Sequence, residues 1–109
     1  MTEYVQVETT TDSSEEADRL AHSITDAHLA ACVQIVGPIR SVYWWQGKQE
    51  VAQEWQLLIK TTTDRLSDLE QHIKANHSYE TPEIIATPIR WGSQEYLDWI
   101  SAETKQTDV

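Results

Sequence analysis

The chain has 109 residues, with 18 Asp and Glu against 8 Lys and Arg, for a formal net charge of −10. That length suits one domain that buries about two thirds of its unfolded surface, and the acidic excess repels phosphate, which argues against nucleic acid and anionic membrane as partners. A single cysteine, Cys32, excludes an internal disulfide and CxxC-type zinc or redox sites.

Tyr4-Val5-Gln6-Val7 reads as a short strand. Ser13 and Glu16 then have capping-box spacing, and Ala17, Leu20, Ala21, Ile24 and His28 recur at three and four residues, which predicts a helix from Ser14 to His28. Cys32 to Trp45 is strand-like, with Val33, Ile35, Ile39, Tyr43 and Trp45 on one parity and an interruption at Gly37-Pro38 that suggests a bulge or bend. Gln46-Gly47-Lys48 reads as a turn, and Val51, Trp55, Leu57 and Ile59 alternate in a second strand, completing a hairpin. Thr63-Asp64 opens another helix with the stripe Leu66, Leu69, Ile73, ended by Asn76-His77. Glu83 to Arg90 reads as a last strand, which Pro88 places at a sheet edge. Gly92-Ser93 starts a short helix with Tyr96, Leu97 and Ile100 as its buried side, and the polar residues from Ala102 to Val109 read as a loose tail of the single domain.

The order β-α-β-β-α-β followed by a helix predicts an α+β, ferredoxin-like sandwich with an extra C-terminal helix. No apolar run approaches a membrane span, and Met1-Thr2-Glu3-Tyr4 carries neither a basic nor an apolar leader region; with a free thiol this makes a cytoplasmic location the expectation.

The hairpin bears on assembly. A strand from Cys32 to Trp45 extends on the order of 40 Å at about 3.3 Å per residue, longer than the roughly 34 Å diameter of a domain this size. Its tip carries Tyr43, Trp44, Trp45 and Trp55, a patch that soluble monomers rarely expose. The simplest solution is that neighbouring copies cover it with paired strand edges; the alternative is a bend at Gly37-Pro38 that folds the hairpin back.

Leu29-Ala30-Ala31-Cys32-Val33, Ser41 to Lys48, Leu58-Ile59-Lys60-Thr61, His77 to Ile85 and Tyr96 to Ile100 together resemble the CutA divalent-cation tolerance family, in the right order and over nearly the whole chain from Tyr4 to Ser101. The resemblance implies a homotrimer similar to the PII signalling proteins, with the long hairpin pairing between subunits, and tolerance and binding of copper and other divalent cations. Two positions depart from the family pattern. Gly37-Pro38 stands where the family has Pro-Gly, and Ser78 replaces the proline of His-Pro-Tyr-Glu, which is expected to loosen the loop after His77.

Candidate site residues follow from type and position. His77, Glu80 and Glu83 lie close together, and imidazole with carboxylate suits a divalent metal ion such as Cu(II) or Zn(II). Thr81 precedes Pro82 and is biased to an extended conformation that could fix the two acids. On the residues alone, His77 could equally cap a helix C-terminus while the acids are solvated. Cys32 is a soft ligand suited to Cu(I), or a small buried hydrophobe; one thiol per chain needs other copies, or a histidine, to make a metal site. A shared helix face for His72 and His77, five residues apart, is disfavoured, and His22 and His28 read as structural or solvated. An enzyme is not expected: the first strand–helix turn, Thr9 to Ser14, has neither Gly nor Arg to cradle phosphate. Two functions stand. One is a trimeric cation-binding protein. The other is a PII-like signalling trimer whose inter-subunit cleft, with Trp45, Lys60 and Tyr79, binds a small effector read by an unidentified partner protein.

Overall fold

In a computed structural model, described over residues 3–105, β1 spans Tyr4–Thr11, longer than expected because the β-branched run Thr9-Thr10-Thr11 pairs with Leu57, Gln56 and Trp55. Helix α1 spans Ser14–Asp26. The Ser13 hydroxyl accepts the Glu16 N–H at 3.1 Å, which caps the helix. Only half of the expected capping box forms, because the Glu16 side chain leaves its own helix. His28 is not on the helical stripe: it lies past the helix end with a left-handed φ of 55°, exposed, and its Nδ1 donates to the Glu103 carbonyl at 2.8 Å.

Strands β2, Cys32–Trp45, and β3, Lys48–Thr62, form the hairpin. Gln46 and Gly47 link them with φ of 51° and 79°, the positive values that a two-residue turn of the right twist requires. A 3₁₀ turn over Thr63–Arg65 precedes α2, Leu66–Ala75, so the expected helix starts with a tighter turn. Asn76 closes it; His77 does not. Strand β4 is short, Ile85–Pro88, and Pro88 ends it. Helix α3, Gln94–Glu103, begins at Ser93, whose hydroxyl accepts the Tyr96 N–H. Of its expected buried side Ile100 is fully buried and Leu97 half-buried, but Tyr96 is exposed. The helix runs past Ala102, and Thr104 is buried, so the expected loose tail begins later than Ala102; residues 106–109 of it lie outside the described residues.

The four strands are antiparallel in the order β2-β3-β1-β4, which is the ferredoxin-like sheet, with β4 on the edge that Pro88 predicts. Val5, Val7, Leu57 and Ile59 alternate onto one face and meet Leu20, Ile24, Leu69 and Ile73 of α1 and α2. Each such burial contributes about 1.5–3 kcal/mol. Helix α3 lies at one end of the opposite face: Tyr4, which alternates with the core residues of β1, hydrogen-bonds Ser101 at 2.6 Å, and Ile100 is buried apart from the main core.

The register of β2 changes once. Val36 pairs with Gln56 and Ile39 with Glu54, so Gly37 and Pro38 together oppose Trp55 alone. Before this bulge, odd residues of β2 face the helices, as Val33 does opposite Ile59; after it they face the other way, as Ile39 does opposite Glu54. The shared parity of Val33 with Tyr43 and Trp45 is therefore not a shared face. Trp55 is not at the hairpin tip either: it is half-buried against the core. The bulge lets it approach Gly37 so closely that a Cβ there would lie 2.4 Å from its indole. Beyond the bulge the hairpin extends, and the molecule measures 45 × 31 × 21 Å, with Trp44 and Val51 73% and 62% exposed.

Candidate functional site

On the face opposite α1 and α2, the extended half of the hairpin and the segment between α2 and β4 enclose an open cleft of roughly 680 Å³. One wall is the post-bulge parity of β2, with Ile39, Tyr43 and Trp45; Glu54 of β3 contributes beside them. Tyr79, Glu80, Thr81 and Glu83 form the other wall. The charged side chains among the lining residues are all carboxylates.

The loop of the second wall is held from behind. Glu16 accepts the Ser78 N–H on Oε2 at 2.9 Å and the Ser78 hydroxyl on Oε1 at 2.7 Å. Burial alone would push this carboxyl up, but the two Ser78 hydrogen bonds, with His77 and Arg19 nearby, outweigh it and hold Glu16 below its ordinary value. Ser78 therefore does not loosen the loop, as its place in the sequence suggested; it supplies an N–H and an O–H that a proline lacks.

His77 is fully buried at its side chain, 3.5 Å from Glu16. Its Nε2 donates to the Thr10 carbonyl at 2.8 Å, and its Nδ1 accepts the Tyr79 N–H at 3.0 Å. Both ring nitrogens are engaged, so the ring has no lone pair to offer a metal ion. What it does is fix Tyr79, whose phenol donates to Glu54 Oε2 at 2.8 Å. Burial, reinforced by the Glu54 carboxylate and by Asp12, holds that phenol well above its ordinary range, so it is a donor at any physiological pH. Glu83 is pushed up from its ordinary value by burial and by the like charges of Glu8 and Glu54.

The expected metal residues are not gathered. Glu80 and Glu83 line the cleft, His77 is committed behind it, and Cys32 pairs opposite Lys60, six residues along β3 from Glu54, or about 20 Å. Cys32 is half-buried, near the Tyr96 phenol, which burial and then the cysteine push up. Among the described residues no group of three or more His, Cys, Asp or Glu could hold a metal ion. The expected set does not fit a single metal centre within one chain. Of the expected effector residues, Trp45 and Tyr79 line the cleft; Lys60 does not, and instead donates to Gln34 at the far end of the hairpin. Glu54 is the residue that sequence reasoning missed; its signal is a carboxylate set inside the alternating run Glu54-Trp55-Gln56-Leu57. No helix among the described residues is long and apolar enough to cross a membrane.

Residues 5–103 match the family described as CutA1 divalent ion tolerance protein. The chain is 46% identical over 91 residues to a divalent-cation tolerance protein CutA of Archaeoglobus fulgidus, covering 84% of this chain and 88% of that one. It is also 46% identical over 103 residues to a chloroplastic CutA 1 of Oryza sativa, covering 94% of this chain but 58% of the relative. Among solved structures, the rice CutA1 crystal structure superposes with a TM-score of 0.93 at 45% identity, covering 96% of each chain. A structure titled as the periplasmic divalent cation tolerance protein CutA from Archaeoglobus fulgidus superposes with a TM-score of 0.91 at 41% identity, covering 94% of this chain and 99% of that one.

Proposed function

The chain belongs to the CutA1 family of divalent-ion tolerance proteins, and from that premise we propose that it serves cation tolerance as a homotrimer that gathers divalent cations, Cu(II) among them, at carboxylates rather than in a closed metal centre. The observation that carries this reading is the cleft, whose charged lining groups are Glu54, Glu80 and Glu83. A net charge of −10 per chain adds a field that concentrates cations there. A thiolate contribution from Cys32 requires a second copy of the chain. The trimer reading is supported by the exposed hairpin tip and by the two open sheet edges, β2 and β4. A binding role without catalysis belongs to the same reading, and the engagement of both His77 ring nitrogens supports it. A cytoplasmic location belongs to the same reading and rests on the free thiol; cell fractionation checks it against relatives named chloroplastic and periplasmic.

Calorimetry with Cu(II) and Zn(II) on tag-free protein tests the proposal, with the pair Glu80→Gln and Glu83→Gln as the variant. Saturable binding that weakens at least tenfold in the variant is expected, and unchanged binding overturns the assignment to the cleft. Light scattering at micromolar concentration should give three chains of 12.5 kDa, and a single chain refutes the trimer.

A second reading is favoured by the rings of Tyr43, Trp45 and Tyr79 in the same cleft: a PII-like trimer that binds a small organic effector and is read by a partner protein. Rings are not needed to hold a metal ion, whereas they suit a molecule with an apolar surface.

A further inference from the structure

The two partners of the His77 ring differ in kind. The Thr10 carbonyl can only accept, so Nε2 carries a proton; the Tyr79 backbone N–H can only donate, so Nδ1 presents a lone pair. The ring is therefore neutral and held in one tautomer, with its side chain fully buried. A third group stands beside it. Glu16 Oε2 lies 3.5 Å from Nδ1, too far for a good hydrogen bond in this arrangement, and it already accepts the Ser78 N–H at 2.9 Å. A carboxylate oxygen has a second lone pair and can take another donor.

A second proton on the ring can go only to Nδ1. There it turns an acceptor into a donor, and the two neighbours respond in opposite ways. The Tyr79 N–H loses its acceptor and faces another N–H, which favours a different path of the chain at Tyr79. Glu16 gains a donor, because a small tilt of the ring brings Nδ1–H onto Oε2 as a charge-assisted pair. The other charged groups around the ring bias this exchange without replacing it. Arg19 of α1 acts on Glu16 as well and opposes a charged ring. Asp12 and Glu54 lie around the Tyr79 phenol, whose ring centre is 5.0 Å from that of the imidazole, and their negative charge favours one. On α2, His72 is bonded to Ser23 and Lys74 is paired with Glu70, so both are engaged elsewhere.

We infer that His77 is a proton-operated latch on the segment that follows α2. Neutral, it holds the Tyr79 backbone and so presents the phenol to Glu54; protonated, it turns to Glu16 and releases Tyr79. The Glu16–Ser78 clasp persists in both states and is the fixed end of the device, with Tyr79 the moving end. Every group of the latch belongs to one chain, so it operates whether or not neighbouring copies cover the hairpin.

The test uses nitrogen-15-labelled full-length protein in its native assembly, from about pH 8 down to the pH at which circular dichroism detects unfolding. Long-range proton–nitrogen spectra of the imidazoles report which ring nitrogen carries a proton, and His77→Asn assigns the His77 signals by removing them. At the upper end the ring should carry a proton on Nε2 alone. On acidification Nδ1 should take up a proton while the protein stays folded. Protection of the Tyr79 amide from hydrogen exchange should fall about tenfold with the same midpoint, while the amides of Ile24 in α1 and Ile73 in α2 keep theirs. His77→Asn is the conservative variant, since an asparagine oxygen accepts the N–H two residues on, as in an Asx-turn, and does not titrate. It should keep the Tyr79 amide protected across the whole range. Glu16→Gln should move the midpoint to lower pH; should that variant fail to fold, the exposed Arg19→Gln should move it to higher pH. A ring that stays neutral until the protein unfolds overturns the inference. So does a Tyr79 amide that ignores the titration of the ring, the same loss of protection in His77→Asn, or a midpoint that the folded variants leave unmoved.

Discussion

Glu16 grips Ser78 with both carboxylate oxygens, one on the backbone N–H at 2.9 Å and one on the side-chain hydroxyl at 2.7 Å, across 62 residues of sequence. The first turn of α1 thereby anchors the loop that carries Tyr79 and Glu80 into the cleft. The carboxylate is buried and lies 3.5 Å from His77, so anything that removes Ser78's donors leaves a charge with few partners.

Ser78→Pro should destabilise this chain by about 3 kcal/mol, because it removes two hydrogen bonds to a buried charge. The double variant Glu16→Ala with Ser78→Pro should recover most of that loss, giving a coupling energy of about 2 kcal/mol in urea denaturation. Additive effects in the cycle would show that the pair does not act as a unit.

Acid should expose the same clasp. Glu16 has a lowered value in the fold, so its contribution is fully present above its unfolded value of 4.5 and is lost as pH falls from there through the folded value. Glu83 is raised, so its ionised form opposes folding at neutral pH and the penalty fades as pH falls through its raised value. Melting temperatures between pH 3 and pH 7 should show Glu16→Gln flattening the acid limb below about 4.5. Glu83→Gln should instead raise the melting temperature at pH 7, by an amount that shrinks with added salt.

Gly37→Ala should cost about 1–3 kcal/mol, since the new methyl would sit 2.4 Å from the Trp55 indole and the core behind that ring resists displacement. Trp55→Val in the same chain should relieve the clash and make the alanine nearly neutral. Equal losses from Gly37→Ala in both backgrounds would place the cost in the backbone instead of the contact.

Val51 pairs with Val42 across the exposed hairpin and is 62% exposed. If copies of the chain cover this surface, Val51→Asp buries an unpaired charge between them. The assembly should then fall toward 12.5 kDa in light scattering while circular dichroism keeps the fold. A trimeric Val51→Asp protein would put the interface elsewhere.

The sheet, the helices and their order were legible because the signals are local: alternation in β3, a stripe at three and four residues in α1, Pro88 at an edge. The site was legible only in part. Trp45 and Tyr79 line a cleft within one chain, where a cleft between subunits was expected, and Lys60 shares a strand with Glu54 and not an end of it. His77 had the chemistry of a ligand, and its two nitrogens were already spent on Thr10 and Tyr79. Glu16 had the spacing of a capping box, and a donor from far along the chain outcompeted the local one. Each miss turns on a tertiary hydrogen bond, on the phase of β2 or on which end of the hairpin meets the loop after α2, none of which a window of neighbouring residues contains.

The bulge at Gly37 and Pro38 gives the cleft an unusual mutational grammar. Substitutions beyond it change what the wall is made of, one side chain at a time. A one-residue insertion or deletion at the bulge changes which side chains are the wall, because it exchanges Tyr43 and Trp45 for Val42 and Trp44 in a single step. Length at this point of the chain, more than the identity of any one ring, decides that the cleft has the aromatic wall it has.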